Sequence, residues 1–371
     1  MNKTFAINRR SVLKLMGAAC AVPYGIGRAF AQDAKPLTVG VIYPGSKEDY
    51  GYNKSHASAA AQLKALAGVT VIEEERVPET VAVQRTMEGM IQQDGANLII
   101  ATSFGYFRPH VQQIAAKYPD VMFAHCGGVW DETMPTNIGT FYAYIYSAQY
   151  VSGIVAAHMT KTKKLGVVAA KPTPNLIRSI NAFAIAARSV DPSIKVQVIF
   201  TGDWVLPVRE AESANSLVDQ GADVIACHVD SPKVVVETAE KRGVYSCGYH
   251  SSQADIAPKG FLTGAEWDWF TPYSNFVDAA RNGNPPVHYL RGGFAENFIK
   301  NTPFGSAVTA EARAAAEKAQ AALVSRNLSI YAGPLKDNNG NVVIPEGTSL
   351  AENDHRLDKI DYLVDGVVGQ K

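Results

Sequence analysis

YSAQYVSGIVAAHMTKTKKLGVVAA, residues 146–170, is the place where the chain starts its pattern over. The run from Tyr146 to Met159 has no acid, lysine or arginine and is apolar on every side, which predicts a buried helix rather than an amphipathic surface one. It stops at Lys161-Thr162-Lys163-Lys164, a basic end that complements the helix dipole, and an apolar strand over 165–170 follows at once. Upstream, β-rich runs over 37–43, 69–75, 97–102, 121–125 and 138–141 alternate with helical spacing over 54–66, 81–94 and 109–117, and Gly68 and Gly95 stand at C-cap positions. Downstream the alternation begins again. Strands over 165–170, 196–200, 223–228 and 244–248 are separated by helices over 174–190, 209–220 and 232–242. Repeated βαβ units on both sides of one buried helix predict an α/β protein of two doubly wound parallel-sheet lobes.

The remainder reads as a strand over 260–266, an aromatic helix over 267–282, a strand over 288–294 and an alanine-rich helix over 309–326. A tail of that kind revisits both lobes. The expected crossovers lie near 142–146, 250–265 and 285–305. Lobe 1 is then 32–143 plus about 262–288, and lobe 2 is 144–261 plus about 289–371. Ligands of open α/β sheets bind outside the carboxyl ends of the strands, so two facing lobes enclose a cleft there.

Composition narrows the function. The chain has 371 residues, 47% apolar and only 19% charged, which excludes a disordered protein and provides for two cores. Bases and acids both number 35, so there is no polycationic surface for nucleic acid. That balance averages over two unlike pieces. Residues 1–31 contain Lys3, Arg9, Arg10, Lys14 and Arg28 and no acid, and their apolar stretch over 12–26 is too short to remain as a membrane span. Ala29-Phe30-Ala31 offers the small-x-small pattern of a signal-peptidase site, and Asn8-Arg9-Arg10-Ser11-Val12-Leu13-Lys14 resembles a twin-arginine export signal. The expectation is a signal peptide cleaved near Ala31 and a periplasmic mature chain of net charge −5 with no permanent membrane anchor. Cys20 leaves with the signal. Cys126, Cys227 and Cys247 are odd in number and show no C-x-x-C spacing, which reads as small buried residues rather than a disulfide framework or zinc site.

The sequence has no G-x-S-x-G, H-E-x-x-H, P-loop or G-x-G-x-x-G, so the common hydrolase, metalloprotease and nucleotide-cofactor routes lack their parts. Strand ends carry the chemistry instead. Tyr52 and Asn53 follow the first strand, Phe104 the third, and Trp204 the second strand of lobe 2. Asp230, Tyr249, His250 and Trp267 occupy equivalent places further on. Trp267 and Trp269 are two apart and cannot share one helical face, so Trp267, at the strand end, is the one expected at the ligand. Flat aromatic faces with a few donors and acceptors suit a flat heteroaromatic ligand held by stacking and read along its edge.

Several of these segments resemble the basic membrane protein family of ABC-transporter solute-binding proteins. The carriers are Tyr50-Gly51-Tyr52-Asn53, Thr102-Ser103-Phe104-Gly105, the helix YVSGIVAAHM with the entry at 162–166, Asn181-Ala182-Phe183, the run over 220–225, and Gly333-Pro334-Leu335-Lys336-Asp337. The resemblance implies a type I periplasmic binding fold, a purine-type ligand sandwiched by Tyr52 and Trp204, and a permease as partner. Nucleoside-binding members hold ribose with an Asp and a Lys. This chain has His250 in Gly248-Tyr249-His250, and no Lys in Gly264-Ala265-Glu266-Trp267. That departure favours a smaller ligand, a free base such as adenine, with Asp230 accepting an N–H and Asn53 or His250 completing the readout. The expectation is a monomeric receptor that needs no cofactor or metal. The alternatives are a nucleoside or other small-heterocycle receptor, a sensory receptor, or an exported enzyme acting on a purine or amide with His250 and Asp230 as acid and base.

Overall fold

In the computed structural model, which describes residues 35–370, the unbroken apolar runs form the central strands of two sheets, while the signal expected over 1–31 lies outside the described residues. The first sheet comprises β1 (Leu37–Ile42), β2 (Val69–Glu74), β3 (Leu98–Ala101), β4 (Met122–Cys126), β5 (Ile138–Ala143) and a late arrival, β11 (Leu290–Gly292). Its order is β11-β5-β4-β3-β1-β2 and every pairing is parallel. Helices α1 (Tyr52–Leu63), α2 (Val81–Gln92) and α3 (Gln112–Lys117) connect its strands. Thr80 caps α2 by accepting a bond from the Ala82 amide.

The second sheet contains β6 (Lys164–Ala169), β7 (Lys195–Phe200), β8 (Val224–His228), β9 (Tyr245–His250) and β10 (Phe261–Trp267), all parallel. It is closed on one edge by antiparallel β12 (Ile299–Asn301) and on the other by β17 (Val367–Val368). Its connecting helices are α5 (Pro174–Val190), α6 (Pro207–Asp219) and α7 (Lys233–Lys241), the first two opened by a proline, whose fixed φ suits a first helical turn. α4 (Tyr146–Met159) is buried along nearly its whole length, packed against α5, β10 and α9 (Ala310–Val324). Gly153 makes this packing possible, because a Cβ there would lie 2.3 Å from the Phe183 carbonyl oxygen of α5. Two small antiparallel pairs, β13 (Tyr331–Ala332) with β16 (Ser349–Leu350) and β14 (Leu335–Lys336) with β15 (Val342–Ile344), finish the tail.

The chain crosses between the sheets after β5, after β10, and between β11 and β12. Two boundaries read from the sequence therefore move. Residues 262–267 belong to lobe 2, because β10 pairs with β9 from Phe261 to Glu266, and the return to lobe 1 follows Trp267 and leads into α8 (Phe270–Asn282). Residues 290–292 belong to lobe 1, because β11 pairs with β5. A strand of three residues carries too little pattern to announce its partner.

Candidate functional site

The loop after β1 is built by one carboxylate. Asp49 Oδ1 accepts the amides of Gly51 and Lys54 at 2.8 and 2.9 Å, and its Oδ2 accepts the amide and side-chain nitrogen of Asn53 at 2.9 and 2.7 Å. These bonds satisfy amides at the start of α1 and place Tyr52 as its first residue. Gly51 sits directly against lobe 2: a Cβ at this position would be 1.9 Å from the Asp230 carbonyl oxygen.

Lobe 2 meets this loop directly. The Tyr52 amide donates to the Asp230 carbonyl at 2.9 Å, the Ser231 hydroxyl to the Asp49 carbonyl at 2.8 Å, and the Ser251 hydroxyl to the Tyr50 carbonyl at 2.8 Å. Gln253, fully buried, reaches the same Tyr50 carbonyl at 2.6 Å. Across the cleft, Asn175 at the start of α5 donates to the Tyr142 hydroxyl of β5 at 2.8 Å. The lobes are closed on one another. Tyr50 and His250, both on this contact, have φ values of 57° and 69°, a left-handed conformation that a non-glycine residue holds only when its surroundings enforce it.

Between the lobes lies a train of rings. Tyr52 is edge-on to His250 with centroids 5.4 Å apart, His250 lies 6.2 Å from His228, and His228 lies 6.4 Å from Trp204. The Tyr52 hydroxyl donates to the Thr102 carbonyl at 2.5 Å. Tyr249 is fully buried, with its hydroxyl 2.9 Å from Nε2 of His228. Trp267 is buried on β10, and its indole N–H donates to Nδ1 of His250 at 2.6 Å. The other ring nitrogen of His250, Nε2, has no hydrogen-bond partner among the described residues and stands 3.9 Å from Asp230 Oδ1.

The electrostatics follow from burial and a local excess of acids. The Asp230 carboxyl is pushed up from 3.8 to about 8, first by burial and then by Asp49, Glu210, Glu79 and Asp203. Burial lowers His228 to about 3. His250 is held well below its ordinary value by burial and then by His228 and His56, with the Val229 carbonyl opposing. The site thus presents a neutral imidazole beside a carboxyl that is easily protonated.

Of the eight residues expected from the sequence, Tyr52, Trp204, Asp230, Tyr249, His250 and Trp267 are brought together. Asn53 lies in the same loop but directs both ends of its amide into it, Nδ2 to Asp49 and Oδ1 to the Gly45 amide at 3.1 Å, and no ring of the train contacts it through these bonds. Phe104 is 74% exposed in a short turn after β3, so it is no part of the buried ring train. Residues missed from the sequence are Tyr142, Asn175, Arg178 and Gln253. Arg178 donates to Asn175 Oδ1 at 3.0 Å and to Asp358 at 2.9 Å, which orients Asn175 toward Tyr142. A helical arginine or a loop glutamine has no local pattern to mark such a role. Cys126, Cys227 and Cys247 are buried free thiols.

A cavity of about 200 Å³ adjoins the ring train, sharing His250 and Trp267 with it and lined further by Ser55, Ser58, Glu266 and Trp269. The larger concavity, about 820 Å³, lies at the amino ends of the first sheet's strands beside Leu37, Asn97 and Met122, and contains none of these residues. Among the described residues no helix is long and apolar enough to cross a membrane, and no group of three or more His, Cys, Asp or Glu could hold a metal.

The geometry is that of a two-lobed receptor, and the family of ABC transporter substrate-binding proteins described as PnrA-like, or Bmp, matches residues 37–296. The chain belongs to that family. A purine-binding protein of Brucella abortus (strain 2308) is 32% identical over 343 residues, covering 92% of this chain and 95% of its own. A putative ABC transporter glucose-binding protein of Haloferax volcanii is 31% identical over 67% of this chain and 62% of its own. In fold, the chain is similar to an ABC transporter solute-binding protein from Conexibacter woesei, with a TM-score of 0.67 at 22% identity, over 79% of this chain and 97% of that one. The expected type I periplasmic binding architecture and the resemblance to the basic membrane protein family are therefore both met. As a member, the chain is an ABC transporter substrate-binding protein, and ligand and permease are the partners this implies.

Proposed function

We propose that this chain captures a free purine base, adenine or a close relative, between its lobes as the exported receptor of an ABC importer. The observation that carries the reading is the pairing of Nε2 of His250 with the Asp230 carboxyl, 3.9 Å apart, within a train of aromatic rings. Rings hold a flat heterocycle by stacking, and the two polar groups read its edge. Buried Trp267 and His250 bond to each other at the place where the resemblance implies ribose ligands, which supports a base over a nucleoside. The purine-binding relative from Brucella supports the ligand class. In this reading residues 1–31 are a twin-arginine type signal, cleaved near Ala31, the mature chain is a periplasmic monomer that needs no cofactor, and ligand leaves unaltered.

The closed lobe surface formed around the ligand is the shape that the permease recognises. A thermal-shift panel of adenine, guanine, hypoxanthine, adenosine, inosine and glucose tests the ligand. A binder at 100 times its Kd adds about 2.7 kcal/mol, so free bases raise the melting temperature. If nucleosides or glucose raise it and free bases do not, the proposal is wrong. Recovery of unaltered ligand by mass spectrometry excludes the enzyme alternative.

A further inference from the structure

Three buried histidines stand near the cleft, and two of them share an ambiguity. His56 Nδ1 is 2.8 Å from the Tyr273 hydroxyl, and His228 Nε2 is 2.9 Å from the Tyr249 hydroxyl. A tyrosine hydroxyl donates or accepts, so neither contact fixes which nitrogen carries the proton. His250 differs. Its Nδ1 faces the indole N–H of Trp267 at 2.6 Å, and an indole nitrogen only donates. Nδ1 of His250 must therefore be the bare, accepting nitrogen, and the ring's proton resides on Nε2. A doubly protonated ring would set one N–H against another.

We infer that Trp267 is a positioning residue that locks His250 in its Nε2–H tautomer, so that the site offers one fixed donor beside the Asp230 carboxyl and selects ligands with a ring-nitrogen acceptor next to an N–H. The lock leaves Nε2 a buried donor without a hydrogen-bond partner among the described residues, held for a ligand beside the Asp230 carboxyl. It also assigns Trp267 a part other than stacking on the ligand. The other tautomer would leave a bare nitrogen beside a carboxyl, a pair with little to offer a ring nitrogen. Each purine edge that carries a ring acceptor next to an N–H fits the locked pair, and an analogue with C–H in place of that nitrogen leaves the buried donor unpaired.

The inference rests on the purine reading for its ligand but not for its first measurement. In the ligand-free protein labelled with ¹⁵N, His250 should show a bare Nδ1 and a protonated Nε2, with a nitrogen–nitrogen coupling across the bond to Trp267 Nε1. A protonated Nδ1 overturns the proposal whether or not any purine binds, and whether or not a variant folds. The second measurement compares adenine with its 1-deaza, 3-deaza and 7-deaza analogues by calorimetry. In the native protein one analogue should bind at least about tenfold more weakly than adenine. In Trp267→Phe that penalty should shrink to about threefold or less, and the histidine should sample both tautomers. An unchanged tautomer and an unchanged analogue profile in Trp267→Phe refute the lock, whereas failure of adenine to bind the native protein refutes the purine reading alone.

Discussion

Replacing Asp230 by Asn keeps the shape of the side chain and removes its titration, which separates what the carboxyl does as a charge from what it does as a filler. Its value of about 8 means that in the closed, ligand-free form most molecules carry it neutral at pH 7. A ligand that donates an N–H prefers the carboxylate, so binding below about pH 8 must expel a proton, at about 1.4 kcal/mol per pH unit. The affinity of the native protein for adenine should therefore rise up to about tenfold per pH unit toward about pH 8 and level off above it. A bond to a carboxylate contributes about 1.5–3 kcal/mol, so above about pH 8 the Asn variant should bind about 10–150-fold more weakly. Near pH 6, a neutral acid and an amide offer similar groups, and the two proteins should converge. Calorimetry in buffers of different ionisation heat measures the released proton directly. Stability runs in the opposite sense. The folded value is raised above 3.8, so the carboxyl's contribution to the ligand-free fold is fully present below about pH 3.8 and is lost as pH rises through about 8. The melting temperature of the native protein should fall against that of the variant across this window. Parallel pH profiles for the two proteins, with no proton released on binding, refute the reasoning.

Three further outcomes test the parts around it. Trp204→Ala removes a stacking face and should weaken adenine binding by about 1–3 kcal/mol, or roughly 5–150-fold, by titration calorimetry. Gly51→Ala places a methyl group 1.9 Å from the Asp230 carbonyl oxygen, so the lobes should stay apart. Small-angle scattering of the ligand-saturated variant should then give the radius of its ligand-free form, and a normal ligand-induced contraction contradicts the role of Gly51. Gln253→Ala removes the buried amide that ties the Tyr50 carbonyl to those of Tyr249 and Ser251, and should destabilise the closed form by about 1–3 kcal/mol. Stopped-flow measurement should show this as faster ligand release, with association nearly unchanged.

The parts of the fold legible in the sequence were those with a long pattern. β1, β3, β4 and β8 lie within one or two residues of their apolar runs, and α4 and α5 match theirs end to end, because helices of 14 and 17 residues show several turns of periodicity. β11, β12 and β17 are two or three residues long, and their sheet membership comes from tertiary pairing that no local signal encodes. The site divides in the same way. Tyr52, Trp204, Asp230 and His250 follow or end strands, where position alone points into a cleft. Asn53, one polar residue past Tyr52, reads in the sequence as a ligand group, and its bonds to Asp49 and Gly45, which shape the loop, have no local signal. Phe104 stands apart from the buried rings because the turn over Phe104–Tyr106 leaves it exposed and buries Tyr106 instead, which a strand-end position does not reveal.

In the proposed site, Asp230 would let closure and recognition share a few residues without competing. Its backbone carbonyl accepts the Tyr52 amide and its backbone amide donates to the Trp204 carbonyl at 3.0 Å, so the main chain holds the Tyr52 and Trp204 loops together. Its carboxyl takes no part in these bonds and faces His250. His250 is divided likewise: its strained backbone leads into Ser251, which bonds Tyr50 of the other lobe, while its ring is oriented by Trp267. Side-chain replacement at either residue should thus change which ligand binds more than whether the lobes close, since the closing bonds come from the Asp230 backbone carbonyl and from the side chains of Ser231, Ser251 and Gln253, which the replacement leaves in place. Recognition can then diverge by exchanging side chains at strand ends while the hinge, the closing contacts and the surface offered to a permease stay the same.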